Sequence, residues 1–183
     1  MSLLTDFKPS LLFLGKFLGV YLAGNILYGL FIESYDPKPD PVTRAVTHHT
    51  TWCLDVTGEA TTIQDHDDKA SILVKKGDEV VIGVFEGCNG LNVMIIFVAF
   101  IVAFGGPRKA VLWFIPLGLL IIHVVNLLRI GLLYFTALHF ESYFYYVHKY
   151  FFTAILYVIV FALWAFWVLR INKVNVFNPP RRS

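Results

Sequence analysis

A chain of 183 residues with 57% hydrophobic and 16% aromatic content and a mean hydropathy of +0.65 is too apolar for a soluble domain of its size and reads as an integral membrane protein. Its formal net charge of +2 contains no long basic run, which argues against a nucleic-acid partner. Two cysteines, with neither Cys-x-x-Cys nor His-Glu-x-x-His, lack the usual zinc and thioredoxin-like signatures; the adjacent His48 and His49 read as solvated, and no metal or cofactor is expected.

In chain order, residues 11–32 form an apolar run broken only by Lys16 and Asn25, long enough to cross a bilayer core of about 30 Å. Glu33-Ser34-Tyr35 is not a small-x-small cleavage site, so this first span is expected to stay as an anchor. Residues 33–87 are polar and acidic, with Pro37, Pro39 and Pro41 making an extended exit. Their second half predicts strands at Ser71–Val74 and Glu79–Phe85 around a Lys75-Lys76-Gly77-Asp78 turn, hence a small β-rich cap resting on the membrane helices. Residues 88–105, 110–138 and 148–171 follow as three further spans, with a Gly105-Gly106-Pro107 turn between the first two and a basic tail over 172–183. The fold class is then an all-α membrane protein, one membrane domain over 1–183, built as a four-transmembrane-helix bundle with a β-rich extracytoplasmic segment between helices 1 and 2.

Orientation follows from lysines and arginines near span ends. Cytoplasmic termini and a cytoplasmic 105–109 turn place Lys8, Arg108, Lys109, Arg170, Lys173, Arg181 and Arg182 inside, and every acidic residue except Asp6 outside.

Cys88 stands where the polar segment meets the second span, in Glu86-Gly87-Cys88-Asn89-Gly90. A thiol at a helix start is favoured as thiolate by the helix dipole. Counting residues from the cytoplasmic helix ends puts Cys88 about 26 Å, Arg129 about 27 Å and His148 about 30 Å above that face. An arginine within an apolar span costs roughly 2.5–3.5 kcal/mol at the centre and somewhat less near the interface, so Arg129 marks a site. Its bland reading is snorkelling to the outer headgroups. Asn126 lies three residues earlier and is placed to orient it. His139 and His123 compete with His148, His123 lying about 9 Å deeper than Arg129. Cys88 also has a buried-hydrophobe reading and a disulfide reading with Cys53. Glu86 either lines the site or is a solvated strand-end charge.

Cys88-Asn89-Gly90 opening a span, Asn126-x-x-Arg129-Ile130 late in the next and His148 heading the one after resemble the exosortases and archaeosortases, over roughly residues 80–171. The short chain is similar to compact forms of Bacteroidetes-type bacteria. It departs at Asn89, where members more often carry serine; there the backbone N–H remains available. The resemblance implies a membrane transpeptidase-like cysteine protease of the bacterial cytoplasmic membrane with its active site facing outward. Its substrates are exported proteins ending in a recognition motif, an apolar helix and a basic tail. Cys88, Arg129 and His148 are then catalytic, Glu86, Asn89, Gly90 and Asn126 supporting, and the acyl group passes to water or to an acceptor such as an envelope polysaccharide or lipid. The rival readings are a thiol oxidoreductase using Cys53 with Cys88, and a non-catalytic assembly subunit whose polar residues bind a partner helix.

Overall fold

The computed structural model describes residues 3–173. It is mostly helical, with one three-stranded sheet. Helix α1 (Leu3–Glu33) precedes a compact extramembrane segment made of α2 (Pro41–Val56), β1 (Thr61–Asp65), β2 (Ser71–Lys76) and β3 (Glu79–Phe85). A 3-10 turn at Glu86–Cys88 leads into α3 (Leu91–Phe104) and α4 (Arg108–His139). A last helical run, here α5, spans Phe144–Ile171 and contains two wide π turns, Val147–Phe151 and Trp167–Ile171.

Among the described residues, three helices are long and apolar enough to cross a membrane: Phe7–Glu33 within α1, α4 and α5. The fourth expected span, α3, is shorter, although it runs back along α1 from the Cys88 turn to the 105–107 turn. This helix is apolar but has 14 residues, about 21 Å of rise against a core of about 30 Å. It does not begin at Cys88, because Gly90 sits at φ +83 as its N-cap, a left-handed conformation that cannot continue into a helix.

The cap carries the expected small sheet in its second half, but its first half is helical. Asp40 accepts from the Val42 and Thr43 amides at 2.9 and 3.0 Å, and Pro41 takes the first helical position, so the proline cluster starts a helix instead of an extended exit. Buried Thr43, Val46, Thr47, Thr50, Thr51 and Leu54 make one face of α2. Threonine hydroxyls on that face bond back to carbonyls one turn earlier, Thr47 to Thr43 at 2.8 Å and Thr50 to Val46 at 2.9 Å, which lets them be buried. The hairpin forms with a two-residue turn, Lys76 pairing Glu79 across Gly77 at φ +61 and Asp78. β1, which the pattern did not announce, pairs antiparallel with β2.

Two buried clusters hold the molecule. Toward the 105–107 turn, Phe97, Ile101, Phe114, Ile122, Val160 and Trp167 join α3, α4 and α5; the Trp167 indole N–H donates to the Gly105 carbonyl at 3.1 Å. At the other end, Val46 and Leu54 of α2, Val74, Ile82 and Val84 of the sheet, Cys88, and Ile130 and Tyr134 of α4 form a second cluster. Helix α1 runs antiparallel along α3: Phe13 meets Phe100 and Phe104, Gly24 meets Ile95, and Tyr28 meets Asn89. The Cys88 turn is thus gripped from three sides.

Candidate active site

Cys88 is buried, 5% exposed, at the junction of sheet and helices. It shares a cavity of about 320 Å³ with His148, walled by Val81–Phe85 of β3, Ile130 and Leu133 of α4, and Phe144. The His148 ring stacks on Phe144 with centroids 5.7 Å apart, which fixes its plane at the cavity wall. Its backbone lies in the Val147–Phe151 π turn, and the Thr153 hydroxyl donates to its carbonyl at 3.4 Å. The Arg129 guanidinium lies close enough to act electrostatically on both the thiol and the imidazole. Its Nε is buried without a hydrogen-bond partner. A buried donor left open in this way is a standing demand for an acceptor.

Asn126, fully buried on α4, connects the Cys88 backbone to the Arg129 guanidinium. Its Nδ2 donates to the Cys88 carbonyl at 2.9 Å, while its Oδ1 accepts from an Arg129 terminal nitrogen at 3.3 Å. Gly90 is needed beside it: a Cβ there would stand 3.2 Å from Asn126 Cγ in a backbone conformation that already disfavours side chains.

Asn89 is buried and committed to scaffolding. Its Oδ1 caps the Leu91 amide at 2.9 Å, and its Nδ2 reaches the Tyr28 hydroxyl at 3.0 Å and Thr43 Oγ1 at 3.2 Å. Thr43 in turn donates to Asp40, so the α2 cap and the Cys88 turn belong to one polar network. Tyr28, whose hydroxyl also donates to the Glu86 carbonyl at 3.0 Å, was missed by sequence reasoning. A tyrosine in an apolar span carries no signal beyond its need for a partner.

Glu86 is held through its backbone, and it lines a different cavity, with His66, Lys69 and Phe85, from the one that holds His148. The two competing candidates, His123 and His139, fall elsewhere. His123 lies 3.1 Å from His49 of α2, and His139 is exposed at the end of α4. Cys53 and Cys88 are both free thiols, the first exposed on α2 and the second buried, so the structure holds no disulfide between them.

Burial pushes the Cys88 thiol above its ordinary range, against the pull of Arg129 and of a backbone hydrogen bond from Phe85, with Glu86 adding to the rise. The helix-dipole expectation of a resting thiolate therefore loses to desolvation. The thiol precedes the α3 cap instead of sitting on it.

A family model described as transmembrane exosortase (Exosortase_EpsH) matches residues 13–167. The chain belongs to the transmembrane exosortase family. With its three long apolar helices this exosortase is a multi-pass membrane protein. Comparisons with curated proteins and with solved structures return no match. The matched stretch contains every residue of the cavity, from β3 through the His148 turn of the exosortase chain.

Proposed function

We propose that this exosortase is a membrane cysteine transpeptidase acting on exported proteins with a C-terminal motif, apolar helix and basic tail. The observation that carries the reading is the cavity shared by Cys88 and His148; Arg129 is not one of its lining residues but is joined to the Cys88 carbonyl through Asn126 and holds an unsatisfied buried donor. A buried, protonated thiol needs a base at the moment of attack. His148 takes the Sγ proton as Sγ bonds to the scissile carbonyl carbon. The negative charge on the carbonyl oxygen is met by Arg129, whose unpartnered Nε–H supports this role by leaving a donor for charge that appears only in the transition state. His148 then returns the proton to the leaving amine, the C–N bond breaks, and a Cys88 thioester remains. Water or an acceptor nucleophile, for which an envelope polysaccharide or lipid is the candidate class, releases the product.

The distribution of lysine and arginine supports cytoplasmic termini, a cytoplasmic 105–107 turn, and a cap and cavity on the outer face of the cytoplasmic membrane. On that reading a scissile bond just above the substrate's own membrane helix arrives at the level of Cys88.

The test co-expresses the enzyme with a tagged exported protein bearing such a C-terminus and follows its size on gels. Cys88→Ala is expected to abolish processing. Arg129→Ala should slow it by about 10²–10³-fold, the cost of one oxyanion donor. His148→Ala should leave the substrate uncleaved, whereas Cys53→Ala should process normally. Normal processing by all four variants would refute the mechanism. Loss of activity in Cys53→Ala together with Cys88→Ala would favour thiol exchange.

A further inference from the structure

The reaction leaves one long feature of the cap without a role. Among the described residues the sheet order is β1-β2-β3, and β3 has a single neighbour. Its residues Val81–Phe85 wall the cavity that holds Cys88 and His148. Farther from the thiol, Glu79, Val80 and Val81 wall a second cavity of about 600 Å³ against Ala137, Leu138 and Phe144. Val81 and Phe144 border both, so the two cavities adjoin along β3 between the hairpin end and Cys88.

The wall facing the strand from α4 is apolar: Ile130, Leu133, Ala137 and Leu138 carry no side-chain donor or acceptor. An edge strand aims the N–H and C=O groups of alternate residues away from its sheet. An occupant must therefore offer backbone donors and acceptors to one side and apolar surface to the other. A stretched polypeptide does both, its alternate side chains pointing to opposite faces. The strand at the opposite side of the sheet is already engaged: β1 is tied to α2 by the Arg44–Asp65 ion pair at 2.7 Å and by the Thr61 amide donating to Asp55 at 3.0 Å.

We propose that the free edge of β3 seats the substrate, the segment just upstream of the scissile bond adding to the sheet as a fourth strand parallel to β3. This rests on the function proposed above, and the direction follows from it. The substrate's membrane helix lies downstream of the scissile bond and runs into the bilayer from Cys88. The upstream residues must lead outward, from Phe85 toward Glu79, so the substrate runs N to C in the sense of β3.

Disulfide trapping tests this in the full-length membrane enzyme. A Cys53→Ser, Cys88→Ala background receives Val81→Cys, Phe85→Cys or, as a control, Thr62→Cys on β1. The partner is the tagged exported protein whose Cys88-dependent cleavage was first recorded with the intact enzyme, carrying single cysteines at successive positions upstream of its scissile residue. Phe85→Cys is expected to couple to positions nearest that residue, Val81→Cys to positions several residues farther upstream, and Thr62→Cys to none. A reversed order, equal coupling from Thr62→Cys, or no coupling from β3 while the intact enzyme cleaves would overturn the seat and leave the proposed function standing. Absence of any Cys88-dependent cleavage would overturn both.

Discussion

Asn126 is the side chain on which the rest of the site depends. It spends its donor on the Cys88 carbonyl and its acceptor on Arg129, so Asn126→Ala leaves a buried carbonyl unsatisfied, at about 1–3 kcal/mol, and frees the guanidinium. The expected result is a protein that still purifies as a folded monodisperse species but loses most processing, while Asn126→Asp recovers the Arg129 contact and not the carbonyl bond. Tagged-substrate cleavage and melting temperature, measured together, separate the two effects. The thiol offers a second prediction. A group whose acid form is favoured by burial ionises above its ordinary value of 9.0, so alkylation of Cys88 by iodoacetamide in a Cys53→Ser background should keep rising with pH past 9 with no earlier plateau. A plateau near neutrality would mean that Arg129 outweighs desolvation.

Among the elements, those with strong periodicity or unbroken apolar length were legible from sequence, and so was the β2–β3 hairpin with its Gly-Asp turn. What was not legible has physical causes. The α2 stripe is built of threonines, which score as neither apolar nor helical and become buriable only because their hydroxyls find backbone acceptors. Three prolines spaced by two suggested an extended exit, yet the third lies where its missing N–H costs nothing. At the site, Cys88, Arg129 and His148 were nominated by depth, which says nothing about lateral packing. The cavity supplies that for Cys88 and His148. Glu86 and the Cys53 disulfide were drawn from sequence proximity and compartment, neither of which fixes a direction. The α3 start was misplaced because only the fold reveals that Gly90 is left-handed. Gly90→Ala accordingly should lower stability by about 1–2 kcal/mol for backbone strain alone, with a further loss from pressing on Asn126, read as a drop in melting temperature that Gly90→Asn partly spares.

At the scale of the molecule, the two buried clusters answer to different solvents. The helical one rests on close approach: a Cβ on Gly118 would come within 2.2 Å of the buried Phe97 ring. Gly118→Val should cost about 1–3 kcal/mol by overpacking, visible as reduced thermal stability in detergent. The cap is held additionally by charge. Lys76 beside Glu59, and Arg44 beside Asp65, hold both carboxylates below their ordinary values of 4.5 and 3.8. Depressed acids stabilise the fold above those values and cease to do so as pH falls through the depressed ones. As pH falls below about 4.5, protection factors, that is exchange corrected for the intrinsic amide rate, should therefore drop first in α2 and β1–β3 while α3, α4 and α5 keep theirs. Uniform loosening of both parts would contradict that division.

The π turn at Val147–Phe151 has a consequence for descent. A wide turn is what one added residue leaves in a helix otherwise locked along its length. Below it, Leu156, Val160 and Trp167 stay buried in fixed positions. Removing one residue from the turn would restore regular winding, rotating everything above by roughly 100° and turning His148 from the cavity. A homologous gene shorter by a single codon at that point could thus differ in chemistry with every other site residue intact.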